Sequence, residues 1–299
     1  EVEADIAASH GELAGGRFVV MAMGKLGGRE MTAGSDLDLV FVYTHDSDAE
    51  QSDGPRPLGP NQYYARTSQR FISALTAVTT EGQLYEVDMR LRPSGNQGPV
   101  AVSFDGFVEY HAEKSWTWER MALTRARVLS GPADLAAKVE DVIARTLSTP
   151  TDRELTLHDA SEMRDKIAAQ FPGKAIWDLK FAPGGLVDLE FIAQSLQLCH
   201  AARADVLDQN TILAIKKLNN AGALSDTDTK KLIDAALFQH ALTQILRIAL
   251  EGTFKPETAS AGLKALLVRT AKTDDFASLE AQLSAAQADV REIFSRICC

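Results

Sequence analysis

The sequence predicts an α+β protein: a mixed β-sheet domain over residues 1–135, followed by an all-α helical bundle over residues 136–299. Three observations carry this expectation. Apolar, β-rich runs flank a glycine turn near the start. A segment around residue 88 alternates strictly between apolar and charged side chains. Beyond about Thr151 every patterned segment repeats with the period of a helix.

Arg17 to Met23 (RFVVMAM) reads as a short buried strand, and MGKLGGRE turns the chain after it. Leu37 to Tyr43 (LDLVFVY) is apolar on both faces, the pattern of a central strand. Thr44 to Pro60 is acidic and rich in Gly and Pro, a surface loop by composition. Asn61 to Thr80 reads as a helix with Tyr64, Ser68, Phe71, Leu75 and Val78 along one face. In Leu84 to Leu91 (LYEVDMRL), Tyr85, Val87, Met89 and Leu91 point one way and Glu86, Asp88 and Arg90 the other. The turn RPSGNQG leads to Pro99–Ser103, an expected edge strand, after which the strand signal fades. Gly131-Pro132 breaks the chain before a helix that runs to Leu147. Further helices are expected at Leu155–Gln170, Leu186–His200, Asn210–Asn220, Asp226–Glu251 and Ser278–Ile297, the second introduced by Pro183-Gly184-Gly185.

Composition narrows the function. With 299 residues, 45% apolar and 24% charged, the chain has material for one large or two ordinary globular domains. A net charge of -10 lacks the field that draws polyanions to a surface, so a nucleic-acid substrate is not expected. The cysteines are Cys199, Cys298 and Cys299, without paired CxxC spacing, and the histidines form no HExxH. Zinc is therefore not expected, and the usage suits a reducing cytoplasm. The start, EVEADIAASH, has no apolar leader core, and no apolar run is long enough to span a bilayer. A first residue other than Met is what a piece of a longer polypeptide, or a processed terminus, would show.

The chemistry concentrates in GSDLDL, Gly34 to Leu39. Asp36 and Asp38 are two apart at the mouth of a strand, so both carboxylates face the same side. Like charges this close call for a cation, and hard oxygens at this spacing suit magnesium bridging to substrate phosphates. Asp88 supplies a third carboxylate if its strand pairs beside the first, and the three are candidate metal ligands and catalytic residues. The bland alternative is that Asp36 and Asp38 cap a turn while Asp88 faces water. The company of the motif favours the metal. Gly24, Gly27 and Gly28 let backbone N–H groups approach phosphate, Lys25 adds a cation, and Ser35 precedes the first aspartate. Arg90 and Arg92 either bind a triphosphate or balance the acidic cluster. Arg125 and Arg127 serve the phosphates or tie domains together, and Trp116 and Trp118 read as packing anchors near Glu119. Asp188 and Glu190 repeat the spaced-acid pattern at the start of a helix, where the dipole alone favours them.

MGKLGGREMTAGSDLDLVFVY resembles the nucleotidyltransferase superfamily signature of strand, glycine turn and Asp-x-Asp on the next strand. LYEVDMRLRPSGNQGPV, SWTWERMALTRARV and PGGLVDLEFIAQ follow in the order found in the bacterial bifunctional glutamine synthetase adenylyltransferase/adenylyl-removing family. The similarity is dense from about Phe18 to Leu198 and weaker in the C-terminal helices. The resemblance implies a nucleotidyltransferase-like fold and one of two related catalytic halves. One half moves AMP from ATP to a tyrosine of glutamine synthetase; the other removes it with phosphate, giving ADP. SWTWE and YEVD followed by RLRPSG resemble the C-terminal, AMP-attaching half, whereas DMRLRP and the Pro-Gly-Gly stretch also occur close to the removing half. By the same resemblance Mg2+ is the cofactor, ATP a substrate, glutamine synthetase the partner, and glutamine and the PII signal protein the effectors. Asp36 and Asp38 match the metal-binding pair and Asp88 the third carboxylate and candidate proton acceptor. Gly24-Lys25 replaces the Gly-Ser or Gly-Gly usual in the wider superfamily.

Overall fold

The computed structural model describes residues 1–173 and 175–298; Cys299 lies outside the described residues. The chain divides after Leu147 into two compact units.

The first unit contains α1 (Val2–His10), β1 (Arg17–Ala22), the one-turn α2 (Gly24–Gly27), β2 (Leu37–Thr44), α3 (Pro60–Leu75) and β3 (Val87–Asp88). It continues through β4 (Ala101–Ser103), α4 (Phe104–Glu109), a π-helical turn at Tyr110–Lys114, α5 (Thr117–Leu123), β5 (Arg127–Ser130) and α6 (Ala133–Ser148). The strands run in the order β3-β2-β1-β5, with β4 also on β2. β1 is antiparallel to both β2 and β5, while β3 and β4 run parallel to β2. β2 therefore has partners on both edges, as its two-faced apolar pattern requires. Phe18, Val20, Leu39, Phe41 and Tyr43 pack with Tyr63 and Tyr64 of α3 in one core. Val19, Met21, Val40 and Val42, on the opposite face of the sheet, are equally buried.

Three local differences from the sequence pattern have physical reasons. The expected strand Leu84–Leu91 contracts to Val87–Asp88. Val87 and Met89 reach the core, but Leu84 is 74% exposed and Tyr85 37%. The backbone N–H of Arg90 turns onto the Asp88 carboxylate at 2.8 Å instead of continuing a ladder. α3 stops at Leu75, short of Thr80, so Val78 is left in solvent at 78% exposure. The β-branched run that follows folds back through a bridge between Thr79 and Gly82. β5 carries no alternation that a single sequence would reveal; pairing with β1, across a bulge between Val20 and Met21, makes it a strand.

The second unit is all-helical: α7 (Arg153–Gln170), α8 (Leu186–His200), α9 (Thr211–Asn220), α10 (Asp226–Ala249), α11 (Ala261–Ala271) and α12 (Phe276–Cys298). Side chains of Asp152, Asn210, Ser225 and Ser260 accept hydrogen bonds from the first-turn N–H groups of α7, α9, α10 and α11. Each replaces water on donors that a helix start leaves unpaired. α8 is buried along nearly its whole length from Leu186 to Leu198, which makes it the central element of this unit. Leu189, Ile192 and Leu196 pack there with Ile215 and Leu218 of α9, Leu232 and Ala236 of α10, and Val290 and Phe294 of α12. Among the described residues no helix is long and apolar enough to cross a membrane.

Candidate active site

The site forms where β2 leaves the turn made by Thr32 to Asp36. Gly34 takes a positive φ of 66°, open to glycine without strain. The Ser35 hydroxyl pairs with that of Thr32 at 2.8 Å and accepts the Thr32 N–H at 3.1 Å. Ser35 thus braces the turn that delivers the aspartates. Asp36, one residue ahead of β2, is exposed; Asp38, within the strand, is half-buried. The parallel register pairs Asp38 with Asp88 and Leu37 with Val87. Directly paired residues present their side chains on the same face, so Asp38 and Asp88 are lateral neighbours.

Asp88 is not idle. Arg90 Nε donates to both carboxylate oxygens, at 3.0 and 2.8 Å, and its Nη2 lies 2.5 Å from one of them. Burial pushes the Asp88 carboxyl upward, but the Arg90 side chain and N–H, with the charge of Arg92, outweigh it and leave the group below the ordinary range. Asp88 in turn raises Arg90, and the charges of Asp38 and Asp36 add to that effect. The Arg90 side chain is 72% exposed and the Asp88 side chain 14%. An exposed guanidinium therefore covers a largely buried carboxylate. Among the described residues no three His, Cys, Asp or Glu side chains form a cluster that would hold a metal ion as they stand.

Arg92 is held by backbone carbonyls. Its guanidinium donates to the carbonyls of Met89 at 2.7 Å, Pro99 at 3.0 Å and Gly98 at 3.3 Å, pinning the loop between β3 and β4.

The glycine turn lies against Asp38. Gly24 has φ 50°, and a Cβ there would fall 2.2 Å from Asp38 Oδ2. The Met23 N–H donates to the Asp38 carbonyl at 2.9 Å. Lys25 follows on α2, half-buried. Gly27 is required by packing: a Cβ would sit 1.9 Å from the Arg125 carbonyl oxygen. Gly28 ends α2 with φ -71°, a conformation any residue adopts. The arginines of TRAR bind this turn. Arg125 Nε donates to the Gly24 carbonyl at 2.9 Å, and its guanidinium pairs with the buried carboxylate of Glu30. Arg127 donates to the carbonyls of Leu26 at 3.0 Å and Gly27 at 3.2 Å. Glu30 escaped sequence reasoning; it is an ordinary charged residue after a glycine turn, and its partner lies far along the chain. Trp116 is 70% exposed and Trp118 half-buried; Glu119 joins the Tyr110 hydroxyl at 2.7 Å to the Trp116 N–H at 2.9 Å.

In the helical unit Asp188 is completely buried. It pairs with Arg164, accepts the Gly184 N–H at 2.7 Å and lies 3.5 Å from Arg291 Nη1. It holds the Pro183-Gly184-Gly185 turn and faces no solvent. Glu190 on the same helix is half-buried.

A sheet that sets an Asp-x-Asp strand beside a third aspartate, with a glycine turn against them, defines the nucleotidyltransferase class. The family model described as Glutamate-ammonia ligase adenylyltransferase matches residues 2–142, and that of GlnD PII-uridylyltransferase matches residues 161–298. The chain is 46% identical over 99% of its length to the bifunctional glutamine synthetase adenylyltransferase/adenylyl-removing enzyme of Rhodopseudomonas palustris (strain TIE-1). It is 47% identical over 97% of its length to the enzyme of the same name from Xanthobacter autotrophicus, and 46% over 96% to that from Bradyrhizobium diazoefficiens. The chain belongs to this family, and it spans about 30% of the length of these relatives.

Proposed function

We propose that this chain transfers the AMP of ATP to a tyrosine hydroxyl of glutamine synthetase, releasing pyrophosphate. The observation that carries the reading is the register pairing of Asp38 with Asp88, directly beside Gly24. Partner and reaction rest on the relatives named above. The donor set fits a hard cation: carboxylates on neighbouring strands, and a glycine where a Cβ would fill the space against Asp38. Asp36, Asp38 and Asp88 would hold Mg2+, which supplies charge neutralisation for the leaving pyrophosphate and activation of the attacking hydroxyl.

The chain's own groups do the rest. The glycine turn lets the backbone and Lys25 approach the phosphates. Arg90, exposed to solvent, leaves Asp88 for the triphosphate, exchanging one anionic partner for another. The tyrosine oxygen then bonds to the α-phosphorus as the bond to the pyrophosphate oxygen breaks in line. Asp88, released by Arg90, accepts the hydroxyl proton. Arg92 keeps the β3–β4 loop in place throughout. Control by glutamine and by PII belongs to the same reading, with the match of residues 161–298 as the reason to test PII.

The test is intact-mass spectrometry of glutamine synthetase after incubation with the chain, ATP and magnesium. Addition of AMP is the expected result, and its absence in Asp38→Asn the expected control. A parallel incubation of adenylylated glutamine synthetase with phosphate reads out the reverse chemistry. Release of ADP there, without AMP addition in the first arm, would reassign the chain to removal. Calorimetric ATP binding without turnover in either arm would make it a regulatory nucleotide-binding module.

A further inference from the structure

Resting on the reading of Asp38 as part of the reactive centre, we propose that Arg125 is a positioning residue for that centre. It acts through the glycine turn and takes Glu30 as its counter-charge. Arg125 lies just before β5, and its side chain is 4% exposed against 7% for Glu30. One guanidinium holds both the Glu30 carboxylate and the Gly24 carbonyl. Gly24 in turn touches Asp38 closely enough that a Cβ would lie 2.2 Å from Oδ2 and 2.8 Å from Cγ. The path from Arg125 to the Asp38 carboxylate is therefore two contacts long, through backbone whose positive φ favours glycine.

The same residue grips the turn a second time. Its own carbonyl oxygen lies where a Cβ on Gly27 would be, so main chain and side chain of Arg125 hold opposite ends of α2. A buried ion pair adds little stability over apolar residues of the same volume. What the planar fork adds is direction: it fixes a carbonyl and a carboxylate at set angles, which a lysine ammonium cannot do. The consequence is a defined position for Asp38, where a displacement of about 1 Å costs on the order of a hundredfold in rate.

The experiment compares Arg125→Lys, Glu30→Gln and Asp38→Asn with the unaltered chain, in AMP transfer and in Mg-ATP calorimetry. Calorimetric stoichiometry counts folded, competent sites, so turnover is expressed per site. In Arg125→Lys we expect turnover per site to fall about tenfold or more while the Kd for Mg-ATP stays within about threefold. Glu30→Gln keeps an acceptor for the guanidinium but removes its counter-charge, so the number of folded sites should fall while the turnover of each stays within about threefold. A role confined to folding would lower the number of sites and leave the turnover of each unchanged. Should Arg125→Lys fail to fold, Glu30→Ala replaces it, with the same loss per site expected. Native turnover per site in the folded variant, with Asp38→Asn inactive, overturns the brace alone. Turnover retained in Asp38→Asn overturns the reading of the centre, and the brace with it.

Discussion

Each unit contains a glycine turn pinned by a buried arginine and a carboxylate, and the two turns differ in what else they hold. In the sheet unit Arg125 and Glu30 brace Gly24, leaving Asp38 and Asp88 beside the turn, half-buried and reachable from solvent. In the helical unit Arg164 and Asp188 brace Gly184, and Asp188 itself is the brace, with no exposure at all. GSDLDL and GGLVDLE look alike as strings. The first acid pair stands at the mouth of a strand, where a period of two puts both carboxylates on one side. The second stands on a helix, where residues two apart diverge. Asp188 turns inward onto Arg164 and Arg291, whereas Glu190 is only half-buried. Spacing acquires chemical meaning only through the element that carries it.

The sharpest way to break this contrast is to neutralise one acid of each pair. Asp36→Asn or Asp38→Asn should abolish AMP transfer, a loss of about a hundredfold or more, with the melting temperature held within a few degrees. Asp188→Asn should do the opposite. It leaves Arg164 buried without its counter-charge and lowers the unfolding free energy of the helical unit by about 3–5 kcal/mol. Its Mg-ATP affinity should be unchanged. Denaturant titration and calorimetry on the same three variants decide the matter. An Asp188→Asn protein of native stability would remove the distinction.

The glycines sharpen it further. Gly24 and Gly184 both have positive φ, 50° and 77°, so Ala strains either. At Gly184 the added Cβ would meet the Gln287 carbonyl oxygen at 1.8 Å, a backbone atom that cannot step aside. At Gly24 it would meet the end of the Asp38 side chain, which can rotate. Gly184→Ala is therefore expected to lower stability by about 3 kcal/mol or more, and Gly24→Ala by about 1 kcal/mol with a larger loss of turnover. Thermal unfolding and AMP transfer, measured together, separate the two effects.

How far this was legible in the sequence follows the range of each interaction. β1, the glycine turn and β2 declare themselves because apolar runs and Gly spacing are local. Leu186–His200 is legible to its ends because the Pro-Gly-Gly break fixes the start of α8. The pairing of Asp38 with Asp88 follows only if their strands lie side by side, a condition that the sequence states and does not settle. β3 is shorter than its alternation suggests because Arg90 turns its N–H onto Asp88. The Glu30–Arg125 brace and β5 depend on partners a hundred residues away, with no periodic signal to announce them.

Arg90 offers a smaller effect that tests the openness of the first site. Its guanidinium competes for the carboxylate that a cation would use. Arg90→Ala should therefore strengthen Mn2+ binding without nucleotide by up to about tenfold, a net gain of the size of one charge-assisted hydrogen bond. The same variant should weaken Mg-ATP binding. Paramagnetic resonance titration of free Mn2+ reads the first change and calorimetry the second. Weaker Mn2+ binding in Arg90→Ala would show that Arg90 does not compete for Asp88.

The smallest expected effect concerns acid sensitivity, and it separates the units by a histidine. His111, in the π-helical turn, packs edge-on to Phe107 with ring centroids 4.5 Å apart. Burial, with a smaller contribution from the Arg120 charge, pushes its imidazole down to about 4. Folded His111 stays neutral where the unfolded chain, with an ordinary value near 6.5, takes up a proton. The unfolded state therefore binds more protons between those values, and the sheet unit loses stability as the pH falls from 6.5 toward 4. Between pH 6.5 and 5.5 the loss is about 1 kcal/mol. In the helical unit burial and two neighbouring arginines also lower His200, but that residue is only partly buried, so the slope there should be shallower. His111→Phe should flatten the pH dependence of the sheet-unit transition by close to one proton, and denaturant melts across this range measure it. An unchanged slope would mean that His111 takes up its proton as readily in the folded protein as in the unfolded chain.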